Sequence, residues 1–345
     1  MTSLSTSLKG VQRRIIALLA AVVTVASLAV FADSPEAKAS PHRGWLRPDS
    51  TGNCEWDPNV AYWVQRCDVF SPAMGRNIPV QIQPAQRGGN AGLYLLDGLR
   101  ATNKTNAWVN DVNAAQTYEN NNITLVMPVG GTASFYADWN RPATFDPLNP
   151  VNYKWETFLT QELPAYLERQ FGVARNNNSI AGLSMGGTAA ITLAGKHPGQ
   201  FRQALSYSGY LAMTLPFAHT AMHFALLDAG GFNLHAMYGS VISPRRFEND
   251  PFLLSGNLRN TDVYVSAASG LPGPPDQQFP IGQQLSGAAL EAAALLTTRA
   301  WEAKARLEGV PVTSDYPALG MHNWYQFGYQ LERSKPRVLD VMNAW

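Results

Sequence analysis

Gly182-Leu183-Ser184-Met185-Gly186 is a G-x-S-x-G pentapeptide set between Asn178-Ser179-Ile180-Ala181, which reads as a strand, and Thr188 to Ala194, which reads as a helix. A serine on a tight strand-to-helix turn carries its Oγ clear of the sheet at a helix N-terminus, where developing negative charge is stabilised, and glycine neighbours leave room for the turn. Such a serine is a nucleophile for acyl transfer once a base takes its proton. Of the six histidines, His42 lies near the chain start, His197 ends a helix in Lys196-His197-Pro198, and His219, His223 and His235 fall in one stretch. His322, in Gly320-Met321-His322-Asn323-Trp324, follows the last predicted strand and is the expected base. Two carboxylates compete for the acid between them. Asp276 sits in the Gly- and Pro-rich loop after the run Asp262 to Ala267, whereas Glu291, in Ala289-Leu290-Glu291-Ala292-Ala293, is expected to open a helix further on. Loop position favours Asp276, and either group could orient an imidazole and support its protonated form. The oxyanion of a tetrahedral intermediate needs two backbone N–H groups. Met185 supplies one, and Leu99, in the glycine turn of Tyr94-Leu95-Leu96-Asp97-Gly98-Leu99-Arg100, the other.

Positioning these groups requires a sheet. Runs rich in aliphatic and β-branched residues recur at Ile78 to Gln83, Gly92 to Leu96, Ile123 to Met127, Ser179 to Leu183, Ala204 to Ser206, Asp262 to Ala267 and Val310 to Asp315. Helix-period segments intervene at Tyr153 to Gln170, Met185 to Lys196 and Leu285 to Leu307. This alternation predicts a mostly parallel sheet with helices on both faces, and the chain order serine, acid, histidine is that of the α/β-hydrolase fold. About residues 211–261 break the alternation and read as an insertion over the carboxyl edge of the sheet, where open α/β sheets bind ligands. No fixed-period repeat is present, which argues against a solenoid.

Lys9, Arg13 and Arg14 precede an apolar run from Ile15 to Val30 and an Ala37-Lys38-Ala39 cleavage pattern, so residues 1–39 read as a secretory signal peptide. Removing them takes four basic and two acidic side chains and leaves 22 against 23, a nearly neutral protein. No basic stripe or like-charge run appears, which excludes an electrostatic case for nucleic-acid binding. With 46% hydrophobic residues the 345-residue chain can bury a full core. Residues 40–67 form a Pro- and Trp-containing lead-in to a catalytic domain over 68–345. Cys54 and Cys67 are the two cysteines, and outside the cytoplasm such a pair is expected to form a disulfide. No His, Cys and carboxylate cluster has metal-ligand spacing, and no cofactor motif appears.

The motifs above, together with Val126-Met127-Pro128-Val129-Gly130-Gly131, Ser134-Phe135-Tyr136-Ala137-Asp138-Trp139, Lys154-Trp155-Glu156-Thr157-Phe158-Leu159-Thr160, Asp228-Ala229-Gly230-Gly231 and Asn249-Asp250-Pro251, form a specific combination. From about Val69 to Tyr329 the chain resembles the mycolyltransferases of the antigen 85 type. The resemblance implies a secreted α/β-hydrolase-fold acyltransferase of a mycolic-acid envelope, acting on trehalose mycolates and cell-wall glycan. It carries the family's nucleophile onto Ser184, its base onto His322 and, through a shared Leu-Glu, its acid onto Glu291. Its oxyanion donors match Leu99 and Met185, and its sugar contacts match Asp97, Arg100 and Trp324. Ala212 stands where the mycobacterial pattern has a carboxylate near the sugar, and a mycobacterial cysteine pair near residues 145–150 is missing. A secreted carboxylesterase using the same residues, and a non-catalytic envelope- or matrix-binding protein, are the rival readings.

Overall fold

The computed structural model describes residues 54–215 and 217–345. The expected signal peptide, residues 1–39, and residues 40–53 of the lead-in lie outside the described residues. All seven apolar runs form strands, with ends shifted by at most three residues, and two further strands precede them. The strands are β1 (Cys54–Trp56), β2 (Gln65–Ser71), β3 (Arg76–Gln83), β4 (Ala91–Leu96), β5 (Ile123–Pro128), β6 (Asn178–Leu183), β7 (Phe201–Tyr207), β8 (Asp262–Ser266) and β9 (Val312–Asp315). They form one sheet in the order β1-β2-β3-β5-β4-β6-β7-β8-β9. The six strands from β5 to β9 in that order run parallel, and β1, β2 and β3 add an antiparallel edge.

β4, β5 and β6 are buried along their whole length because helices cover both faces. Alternate residues serve the two cores, as the two-residue period of a strand requires. Tyr94, Leu96 and Ile180 pack on one side with Ala189, Ile191 and Leu193 of α2 (Met185–Lys196), and with Leu163 and Leu167 of α1 (Leu163–Phe171). Leu93, Leu95, Ala181 and Leu183 pack on the other with Trp108 and with Phe327, Leu331 and Val338 of the C-terminal helix. Between β7 and β8 the chain makes α3 (Ala218–Asp228), α4 (Leu234–Tyr238) and short turns at Pro244–Phe247 and Pro251–Leu254. The fully buried Asp250 accepts N–H bonds from Met213 at 3.1 Å, Thr214 at 2.8 Å and Phe252 at 2.9 Å, so one carboxylate ties both ends of this excursion together. Two long helices, α5 (Ile281–Leu307) and α6 (Trp324–Met342), complete the fold. No helix among the described residues is long and apolar enough to cross a membrane.

Cys54 and Cys67 face each other in the β1–β2 register and are disulfide-bonded, with the rings of Trp56 and Trp63 edge-on at 6.3 Å inside the closed loop. For a loop of 13 residues, chain entropy assigns this bond about 3 kcal/mol. Replacing both cysteines by alanine is therefore expected to lower the unfolding free energy by about that amount while leaving turnover unchanged. Denaturant unfolding checks the first part. An unaltered midpoint would mean that β2–β3 pairing alone holds this edge.

Candidate active site

Ser184 stands between β6 and α2 with φ 52 and ψ −120, a conformation non-glycine residues rarely adopt. Its neighbours explain how the turn is possible. A Cβ on Gly186 would lie 2.5 Å from the Leu96 and Asp97 carbonyl oxygens, and one on Gly182 would lie 2.3 Å from the Gly186 backbone. The two glycines thus let the first turn of α2 rest directly on the end of β4, next to the turn that carries Leu99. Ser184 is 9% exposed, at the helix N-terminus.

The turn after β4 is held from inside by Asp97. Its Oδ1 accepts from the Gly98 N–H at 2.8 Å and its Oδ2 from the Ala107 N–H at 2.9 Å, while its own N–H donates to the Tyr136 hydroxyl at 2.8 Å. Burial raises the Asp97 pKa to about 6 against the pull of those two N–H donors. Tyr136 belongs to a stretch in which Ala133, Phe135 and Tyr136 all have positive φ, and the Phe135 N–H donates to Met185 Sδ at 3.2 Å.

Of the two candidate carboxylates, only Glu291 meets the imidazole. Glu291 is fully buried and its Oε2 lies 2.8 Å from His322 Nδ1, a geometry in which Nδ1 donates to the carboxylate and Nε2 is left without a proton. Glu291 Oε1 accepts from Ser208 Oγ and from the Ala268 N–H, each at 2.7 Å, so the carboxylate is held from β7, β8 and the histidine loop at once. Ser208 itself has φ 51 and donates its N–H to Ser266 O at 2.7 Å. Asp276 is engaged elsewhere. It accepts from the Gly273 N–H at 2.7 Å and from Asn323 Nδ2 at 2.6 Å, anchoring the loop beside the histidine rather than the imidazole. The expectation that Glu291 opens a helix is corrected: α5 begins at Ile281, and Glu291 lies well inside it. The helix meets the histidine loop along its flank instead, since the His322 N–H donates to Gly287 O at 3.2 Å, one turn before Glu291.

The remaining expected residues take different places. Arg100 pairs with Asp228 at the end of α3, which fastens the β4 turn to the excursion between β7 and β8. Trp324 opens α6 with its indole 5.6 Å edge-on to both Trp108 and Phe327, partly buried at the site's margin. Ser208, Ala268 and Gly287 escaped the sequence reading. The signal for the first was a serine-glycine pair directly after a strand on the serine side of the sheet, while a backbone N–H and a glycine inside a helix carry none.

One turn of helix beyond Ser184 a cleft opens between α2, residues 135–137 and the excursion, lined by Phe135, Thr188, Thr192, Met213, Met222 and Leu234. Glu156 closes part of it. Burial would raise the Glu156 pKa, but bonds from His197 at 2.9 Å and Lys196 at 2.6 Å hold it down at about 2.

The putative esterase family model matches residues 71–338. The diacylglycerol acyltransferase/mycolyltransferase Ag85A of Mycobacterium tuberculosis is 37% identical over 284 residues, covering 81% of this chain and 82% of the relative. Ag85C of Mycobacterium leprae is 34% identical over 81% of this chain and 83% of the relative. Among solved structures, Mycobacterium tuberculosis MPT51 (FbpC1) superposes with a TM-score of 0.71 at 28% identity, over 81% of this chain and 98% of that one. An S-formylglutathione hydrolase of Agrobacterium tumefaciens, at 16% identity and a TM-score of 0.59 over 82% of this chain and 98% of its own, shares the fold.

Proposed function

The chain belongs to the esterase family and, with its antigen 85 relatives, to the diacylglycerol acyltransferase/mycolyltransferases, and from that premise we propose that it transfers a mycolyl group from trehalose monomycolate to trehalose or arabinogalactan through an acyl-serine. Ser184 is the nucleophile, His322 the base and Glu291 the acid. The observations that support this most are the Glu291–His322 bond and a serine on a strained strand-to-helix turn. Ser184 Oγ attacks the ester carbonyl, its proton passes to His322 Nε2 and on to the departing sugar oxygen, and a second sugar hydroxyl reverses the sequence. The N–H groups of Leu99 and Met185 receive the oxyanion.

Asp97 acts in this scheme by holding the Leu99 turn, and Arg100 and Trp324 flank the place where the sugar would enter. The partly apolar cleft past Ser184 fits the acyl chain. We read residues 1–39 as removed on export, 68–345 as the catalytic domain and the region near 211–261 as its cover, with the mature protein acting in the cell envelope. Mass spectrometry of products from the purified protein and trehalose monomycolate tests the reading. Trehalose dimycolate that increases with added trehalose is expected; free mycolic acid alone, unchanged by trehalose, would make the protein a carboxylesterase.

A further inference from the structure

Three histidines converge in the excursion between β7 and β8. His219 and His223 lie one helix turn apart on α3, and His235 of α4 sets its ring 5.5 Å from that of His219 and 6.1 Å from that of His223, tilted by 48° to each. The cluster therefore joins the two helices of the excursion. His219 also stands in the wall of the cleft past Ser184, with Met222 of the same helix and Leu234 of α4.

Hydrogen bonding in the cluster suits neutral rings. His235 Nδ1 donates to the Gly239 carbonyl at 3.3 Å, but His219 Nε2 and His223 Nδ1 are buried and have no hydrogen-bond partner among the described residues. An imidazolium carries a proton on both nitrogens, so charging either ring would bury an N–H donor and a charge with nothing to receive them. The surrounding elements supply no free anion. Arg246, in the turn Pro244–Phe247, adds positive charge and uses its donors on the carbonyls of Met213 and Val241, Arg245 donates to Asp138 O, and Arg141 to the carbonyl of His235. Glu156 is engaged by Lys196 and His197, Asp228 by Arg100, and Asp250 by the N–H groups of Met213, Thr214 and Phe252. Burial keeps the Tyr238 phenol protonated. Burial, and after it the charges of Arg246, His235 and His223, lower the His219 pKa.

We propose that the His219–His223–His235 cluster is an acid-sensitive latch: α3 and α4 close on each other while these rings are neutral, and protonation parts the two helices and opens the cleft wall that His219 and Met222 form. The sign follows from linkage. A histidine that binds its proton less well in the closed form supports closure above its ordinary pKa of about 6.5, and that support is lost as the pH falls toward the lowered value. For one histidine held neutral in the closed form, the open form gains about tenfold between pH 7.5 and pH 5.5. Assigning the cleft to the acyl chain rests on the mycolyltransferase reading, whereas the latch does not.

Hydrogen exchange read by mass spectrometry on the full chain, corrected for the intrinsic pH dependence of exchange, measures the latch directly. Between pH 7.5 and pH 5.5 the opening constant of peptides from residues 218–238 is expected to rise about tenfold, while peptides from α5 stay within about twofold. His219→Phe/His223→Phe keeps rings at both positions and removes the titrating nitrogens, and it is expected to hold 218–238 within about twofold over the same range. Should that variant fail to fold, His219→Gln is read in the same way. A second readout is the ratio of Ser184 labelling rates for a long-chain and a short-chain fluorophosphonate, in which the titration of His322 cancels; it is expected to rise in acid as the cleft opens. Exchange that rises in acid while this ratio stays level would uphold the latch and discard the cleft as the acyl site. Exchange of 218–238 that is level across the range in the native protein, or that rises equally in the variant, would overturn the latch.

Discussion

Ser184→Ala is expected to abolish turnover, with a loss on the order of 10⁶ in kcat, the scale on which removing a serine nucleophile acts. The expectation is specific because alanine changes little else. The substituted residue would inherit the same φ of 52, which an alanine tolerates no worse than a serine, and the glycines that make the turn possible are untouched. The Met185 and Leu99 N–H groups, the Glu291–His322 pair and the cleft past the first turn of α2 all remain. What disappears is the one atom that can become an ester oxygen. The variant should keep its circular dichroism and melting temperature, bind substrate with little change, and show no fluorophosphonate adduct on the peptide containing residue 184. Turnover within tenfold of the native protein would move the nucleophile elsewhere and dissolve the proposed mechanism.

The central strands were legible because burial on both faces selects unbroken apolar runs, as in Tyr94 to Leu96 and Ile123 to Met127. β2 was not legible, for a physical reason. Its inward residues include Gln65 and Ser71, the latter donating to Glu162 Oε2 at 2.5 Å, while Phe70 faces solvent, so the alternation expected of a half-buried strand is inverted at three places. α6 hides in the same way. Gln330 and Ser334 lie on its inner face and satisfy the hydroxyls of Tyr264 and Tyr207 at 2.7 Å each, and Pro336 falls inside the helix where a sequence pattern reads a stop. Hydropathy sees polar residues at those positions and cannot see their partners.

Candidates for the serine and histidine could be named from motif and chain order, since the strand-to-helix turn and the position after the last strand are local features. The acid could not. Which carboxylate meets the imidazole depends on which helix flank meets the histidine loop, and that is decided by contacts far apart in sequence, such as Ser208 and Ala268 on Glu291 and Asn323 on Asp276. The family resemblance pointed to Glu291 where the loop position pointed to Asp276, and it is Glu291 that bonds the imidazole while Asp276 bonds Asn323.

Glu291→Gln is accordingly expected to leave the fold intact and lower kcat by roughly 10³ to 10⁴, the cost of losing an orienting carboxylate. Glutamine fills the same space, and its carbonyl oxygen can still accept from Ser208 Oγ and the Ala268 N–H. Its amide nitrogen then faces His322 Nδ1 and donates to it. That reversal forces the imidazole proton onto Nε2, the nitrogen that must be free to take the serine proton, and it removes the negative charge that supports an imidazolium. Asp276→Asn perturbs a different pair of bonds. The amide can keep one of the partners, the Gly273 N–H or Asn323 Nδ2, and loses the other, so the expected effect is a destabilisation of about 1 kcal/mol with turnover within tenfold of the native protein. Steady-state kinetics and denaturant unfolding on the two variants decide between the carboxylates. The opposite ranking, with Asp276→Asn inactive and Glu291→Gln near normal, would require the histidine loop to swing its imidazole off α5 during turnover and would transfer the acid's role to the loop after β8.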